Sequence, residues 1–289
     1  MSRIRQGFEL AGVSWRTIRG ERALAVFPVL GAISAFALIA AFAIPGILLA
    51  SADGASGAAW AGAIILFALA AYLAAFVGIF FSVALAACAD HALRGEPISV
   101  REGIAVARER IPQIATWAAV TTTVNLIIRA IESRFDGVGG AIVGALGGMA
   151  WALVTFLAVP VIAFEGTGPW ATLKRSSGLF RERWGQQIGG LAVTSGLVAI
   201  IGILPGVVLV VLGIYALPSA GGIALLIIGI LIIAIASVIG SALSQILAVA
   251  LYRFAADGVA VGPFTEAQLN GVVRPRRTRG RGRGAGEPA

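Results

Sequence analysis

Charge is what this chain has least of. Only 12% of its 289 residues are Asp, Glu, Lys or Arg, about half the share found in soluble domains. Hydrophobic residues make up 58%, so the chain cannot cover a water-facing surface and reads as a polytopic membrane protein. There is one cysteine, Cys88, so no internal disulfide can form. Cys88 and the single histidine, His91, fall short of the ligand set of a structural zinc site. Neither a GxxxxGK[ST] nor a GxGxxG loop is present, which argues against nucleotide-driven work within the chain. The apolar blocks carry no Asp, Glu, Lys or Arg at their centres, where proton- and cation-coupled carriers place theirs. A Ser-His dyad would have to use His91, and Ser176 and Ser177 lie on a different loop. No catalytic residue, metal or cofactor is expected, and the chain reads as a non-enzyme. Lysine is nearly missing as well: Lys174 is the only one among 22 basic residues. With abundant Ala and Gly, that bias points to GC-rich coding and a bacterial source.

What is present is a series of six apolar blocks: Ala23 to Ala50, Trp60 to Ala89, Pro112 to Ile131, Val138 to Phe164, Ile188 to Leu212 and Ile223 to Tyr252. Each is long enough to cross a bilayer as a helix. The expected fold is all-α, a bundle of six transmembrane helices forming one domain over 1–265. Residues 266–289 make a disordered basic tail. The first block exceeds the roughly 7–15 apolar residues of a signal peptide and is expected to remain as an anchor. Pro45 is expected to kink or end it. In the third span Thr122 and Asn125, and in the sixth Ser241 and Gln245, are the candidate intramembrane polar residues. Such side chains usually bond across helices. Gly140, Gly144 and Gly148 recur every fourth residue and predict a groove for close helix packing.

The polar connections carry the basic residues. With six spans, twenty of the 22 Lys and Arg fall on one side and only Arg129 and Arg134 on the other. The positive-inside rule then places both termini in the cytoplasm of a cell-membrane protein. The net charge of +8 therefore reads as topology, and nucleic acid is not the expected partner. The Arg-rich tail has no interleaved aromatics and suits anionic lipid better than single-stranded nucleic acid.

Three short amphipathic helices are expected on the basic side. Ile4, Phe8, Ala11 and Trp15 form one helical face. Ser99 to Glu102 has capping-box spacing, and Val100, Ile104, Ala107 and Ile111 repeat the same face. A shift of 73 residues lays these on Leu173, Ser177, Phe180 and Trp184. Each returning span then runs into a Gly followed by a Pro: Gly95 and Pro97, Gly166 and Pro169, Gly258 and Pro263. The pattern predicts three like-oriented hairpins, about 1–95, 96–166 and 167–262.

Several motifs, Trp151…Pro160-Val161…Glu165-Gly166…Lys174-Arg175-Ser176…Arg183-Trp184-Gly185 with Gly7…Ser14-Trp15…Phe27-Pro28 and Gly95…Pro97, resemble those of an uncharacterised family. Its members are six-span membrane proteins of bacteria and archaea, a domain of unknown function. The Glu…Lys-Arg-Ser element is also similar to the membrane domain attached to some glycerophosphodiester phosphodiesterases. The resemblance covers most of 1–265. It implies a fold and no established activity.

Two functional readings follow. In the first, the chain is a binding or scaffold protein acting through a basic cytoplasmic collar. The collar comprises Glu165, Lys174, Arg175, Ser176, Arg181, Arg183 and Trp184, with Arg101, Arg108 and Arg110 from the preceding loop. Its expected partners are the bilayer, anionic headgroups and a protein at the cytoplasmic face. Glu165 is expected to pair with Lys174 or Arg175. In the second, the chain is a transporter or lipid-handling permease for a neutral or lipid-like substrate, with a cavity between the third and sixth spans.

Overall fold

The computed structural model describes residues 23–52, 56–97, 99–184 and 203–258, with their side chains except at 23, 180 and 182–184. These residues form helices α1 (Ala23–Ala50), α2 (Gly57–Leu93), α3 (Val100–Glu109), α4 (Ile111–Glu132) and α5 (Gly137–Thr155). They continue with α6 (Ala158–Glu165), α7 (Pro169–Trp184), α8 (Leu204–Tyr215) and α9 (Ala220–Asp257). No strand occurs among them. The N-terminal face Ile4–Trp15, Pro263 and the tail lie outside the described residues, as does most of the expected fifth span. The last part of that span is α8.

Five stretches are long and apolar enough to cross a membrane: α1, α2, α4, α5 with α6, and α9. Hydroxyl caps start three of the helices. The Ser56 Oγ accepts from the Ala59 N–H at 3.3 Å, Ser99 from Glu102 at 3.4 Å and Ser219 from Gly222 at 3.1 Å. α1 continues through Pro45 to Ala50 and does not end there. Glycines in the left-handed region, at φ +74° (Gly95), +61° (Gly166) and +72° (Gly258), follow the returning helices. A Cβ is disfavoured in that conformation, which is why glycine stops helices there.

The expected fourth span is interrupted. α5 ends at Thr155 and α6 begins at Ala158. Pro160 has no N–H to give the Phe156 carbonyl, and its ring opposes a continuous helix. Ser176, from α7, supplies what the break leaves open. Its Oγ accepts from the Leu157 N–H at 3.3 Å and donates to the Val154 carbonyl at 2.7 Å.

The helices pack as hairpins, α1 along α2, α4 along α5 and α8 along α9. Gly206 and Gly229 let α8 and α9 touch backbone to backbone: a Cβ on Gly206 would come within 2.9 Å of the Gly229 carbonyl oxygen, and one on Gly229 within 2.8 Å of that of Gly206. The groove expected at Gly140, Gly144 and Gly148 does not receive a neighbouring helix in this way. Gly140 lies under the Glu132 and Phe135 carbonyls, Gly144 faces the Glu132 carboxylate, and a Cβ at Gly148 would meet nothing within 4 Å.

Between hairpins, contact is concentrated at one end. The buried core runs over Val83–Asp90 of α2, Ile114 to Ala118 of α4, Leu157 at the α5–α6 break, Ala158 to Ala163 of α6 and Ala242 to Ala255 of α9, with Leu24 and Phe27 of α1. Toward the other end Ile33, Phe36, Ile64, Ile65, Ile227 and Leu231 are exposed, as suits a lipid-facing surface. Length explains the asymmetry. α2 and α9, with 37 and 38 residues, are each about 55 Å long, against a hydrocarbon thickness of about 30 Å. Their excess turns give α3, α6 and α7 something to pack on.

Candidate functional site

At this packed end the polar side chains form a connected network. Asp90, near the end of α2, is only 4% exposed. Arg253 of α9 grips it with both arms of its fork, Nε to Oδ1 at 2.7 Å and Nη2 to Oδ2 at 2.8 Å. Arg94, one turn on from Asp90, also donates to Oδ2. Arg253 reaches Asp257 through Nη1 at 3.2 Å and lies over the Phe164 ring at 4.5 Å. Phe164 stacks on Tyr252 at 5.4 Å. The Tyr252 hydroxyl donates to Glu165 Oε1 at 2.8 Å, and Arg175 Nε donates to the same oxygen at 2.9 Å. α2, α6, α7 and α9 are thus joined through charge-assisted bonds, the stronger kind. Gln113 of α4 joins them through Nε2 to the Gly166 carbonyl at 3.2 Å.

The pairing expected of Glu165 is made with Arg175. Asp90 and Arg253 directly follow the apolar blocks ending at Ala89 and Tyr252, where water would be expected, yet Asp90 is buried and held by two arginines, Arg253 being its main partner. Spacing carried a signal. Asp90 and Arg253 each stand five residues before a helix-ending glycine, Gly95 and Gly258.

Two expected collar residues are internal. Ser176 is fully buried, because its hydroxyl is used by the α5–α6 break. Arg110 is half-buried over Gly166, where a Cβ would lie 2.5 Å from its Nη1. Its buried Nε has no hydrogen-bond partner among the described residues. Thr172, Ser176 and Leu179 are the buried side chains of α7. Of the expected Leu173–Ser177–Phe180–Trp184 face, Leu173 packs partly buried against the core, Ser177 borders a groove on the outer side, and the side chains of Phe180 and Trp184 lie outside the described residues. On α3 the expected face holds over Val100, Ile104 and Ala107, which pack on the core, while Ile111 is exposed and starts α4.

The outer face of α7 lines an open groove of about 590 Å³. Lys174, Arg175 and Arg181 border it, Glu165 is the only acid among the described lining residues, and Thr167 and Ser177 contribute hydroxyls. Arg101 and Arg108 are exposed on α3 and do not line it. The side chains of Arg183 and Trp184 lie outside the described residues.

The intramembrane candidates do not meet each other. α4 packs against α2, α5 and α7 rather than along α9. Asn125 is exposed, and the buried Thr121 and Thr122 hydroxyls have no partner among the described residues, so the expected cross-helix bonds are not made among them. Ser241 donates back to the Val238 carbonyl of its own helix at 2.9 Å. Ser241 and Gln245 instead border a cavity shared with α1 and α2. Among the described residues no cluster of three or more His, Cys, Asp or Glu could hold a metal ion.

Comparison with curated proteins and with solved structures finds no match to the chain. One family model does match, over residues 59–262, a stretch that runs from α2 through α9 and contains Asp90, Glu165, Arg175 and Arg253. On that match the chain, a membrane-embedded helical protein, belongs to the family of unknown function DUF6159.

Proposed function

We propose that the protein is a non-enzymatic binding protein of the cell membrane, whose ligand is the anionic headgroup of a phospholipid, held on the outer face of α7. The observation that carries this reading is the groove itself, with Lys174, Arg175 and Arg181 around one open volume of about 590 Å³ and a single carboxylate, Glu165, among them. That carboxylate already accepts from Arg175 and Tyr252, so the balance left for a ligand is positive. Arginine forks match phosphate oxygens in pairs, and lysine adds a point charge.

The membrane arrangement belongs to the same proposal. It has six spans, the fifth being completed by residues before α8, with both termini and the groove on the cytoplasmic side. The hairpins form three like units. Gly95, Gly166 and Gly258 all adopt positive φ, and the buried Gly103 of α3 falls on the buried Ser176 of α7 under the 73-residue shift. Asp90 and Arg253, partners in the clamp, occupy the same position before the glycine in the first and third units.

The test is native mass spectrometry of the protein released gently from its own membrane. Wild type is compared with Lys174→Ala/Arg181→Ala, which leaves the Arg175–Glu165 pair in place. An anionic phospholipid retained by wild type and lost from the variant is the expected result. A protein subunit lost instead would move the reading to a scaffold. Equal lipid retention by both forms would end the headgroup proposal.

A further inference from the structure

A second site lies inside the membrane domain. α1, α2 and α9 enclose a part-open cavity of about 430 Å³, within the size range of small-molecule sites. Phe27 and Gly31 of α1, Gly78 and Phe81 of α2, and Ser237 and Gln245 of α9 define its walls. None of its described lining residues is charged. A Cβ on Gly78 would meet nothing within 4 Å, so the glycine leaves space rather than filling it.

One wall is polar. The Gln245 amide borders the cavity and makes no hydrogen bond among the described residues, and an amide facing an apolar wall gains from a partner. Gln245 stands eight residues before Arg253, about 12 Å along the helix from the charged layer, and Ser237 about 24 Å. The cavity therefore extends along α9 away from the charged layer, with the Gln245 amide at the end nearer to it.

From this geometry we infer that the cavity binds an uncharged single-chain amphiphile. Its hydrocarbon chain lies between α1, α2 and α9, and its terminal hydroxyl or ester pairs with the Gln245 amide. The amide both donates and accepts, which suits either group. The absence of charge among the described lining residues disfavours an ionised head there. The site is independent of the α7 groove.

The test uses wild-type protein in phosphatidylcholine proteoliposomes and a monoacylglycerol carrying a diazirine on its chain. After irradiation, labelled peptides are mapped by mass spectrometry. Labelling is expected to saturate, to fall at least fivefold under excess unlabelled monoacylglycerol, and to concentrate on 27–35, 78–85 and 234–245. Gly78→Leu, which fills the cavity, should reduce it by a similar factor, and Ala35→Leu serves if that variant does not insert. Gln245→Leu should raise the half-saturating concentration about tenfold, whereas Lys174→Ala/Arg181→Ala should leave labelling unchanged. Labelling that never saturates, or that spreads evenly over the exposed faces of α1 and α9, would overturn the inference. That result would leave the headgroup proposal standing.

Discussion

Replacing Arg253 by Met should be among the most damaging single changes in the described chain. Inside lipid, apolar burial gives helices little reason to associate, because the tails are as apolar as leucine. Polar contacts at the packed end therefore carry more of the specificity than they would in a soluble protein. Arg253→Met removes two bonds to Asp90, at 2.7 and 2.8 Å, one to Asp257 at 3.2 Å, and the stacking over Phe164 at 4.5 Å. It leaves Asp90, whose side chain is 6% exposed, with Arg94 alone. Breaking a buried pair from one side costs about 3–5 kcal/mol. Two unit charges 4 Å apart at an effective dielectric of 20 interact by about 4 kcal/mol, which agrees. Arg94 still neutralises part of the carboxylate, so the expected loss is about 3 kcal/mol at the lower end of that range. Asp90→Asn/Arg253→Met should cost less than the two single changes together, with a coupling of about 2 kcal/mol. Equilibrium unfolding by SDS titration would measure this. The stacked Trp117–Trp151 pair, 6.1 Å apart beside the core, gives a fluorescence signal. Single variants that each cost under about 0.5 kcal/mol, or a cycle with no coupling, would refute the view that this clamp ties α2 to α9.

Three further outcomes follow from the same geometry. Gly166→Ala and Gly95→Ala should each destabilise by about 1 kcal/mol or more, because both glycines have positive φ. The Arg110 guanidinium end that a Cβ at Gly166 would meet at 2.5 Å can swing aside, so paired thermal melts in one detergent should show losses of similar size. Ser176→Ala should cost about 1–3 kcal/mol, because it leaves the Leu157 N–H and Val154 carbonyl of the α5–α6 break unmet. Here Ser176→Thr, which keeps the hydroxyl, is the comparison in the same SDS titration. Gly206→Val should force α8 from α9 at a cost of about 1–3 kcal/mol, read as slower disulfide trapping between cysteines placed on the two helices.

Much of the helix plan was legible in the sequence. Ala23–Ala50 matches the first apolar block residue for residue, and the Ser99 cap stands where capping-box spacing put it. Each Gly of the three Gly–Pro pairs takes a left-handed conformation after a returning helix. These features are local: apolar length, hydroxyl caps and glycine stops act through neighbours in the chain, so composition and spacing report them directly. The collar was legible only as a list of charges. Lys174, Arg175 and Arg181 do share a groove, but Ser176 and Arg110 point inward.

Tertiary structure alone decided which polar residues face each other. Asp90 and Arg253 are 163 positions apart, and Glu165 and Tyr252 87. Asp90 and Arg253 share a place five residues before a helix-ending glycine, but that spacing does not pair them; the pairing follows from how the long ends of α2 and α9 cross. The break between α5 and α6 was likewise hidden, since Pro160 hints at it but the hydroxyl that completes it comes from another helix. Hydropathy fixes where a chain enters and leaves the membrane, because each residue meets the lipid on its own. Which side chains bond inside the bundle depends on crossing geometry, a property of helix pairs that no single stretch of sequence contains.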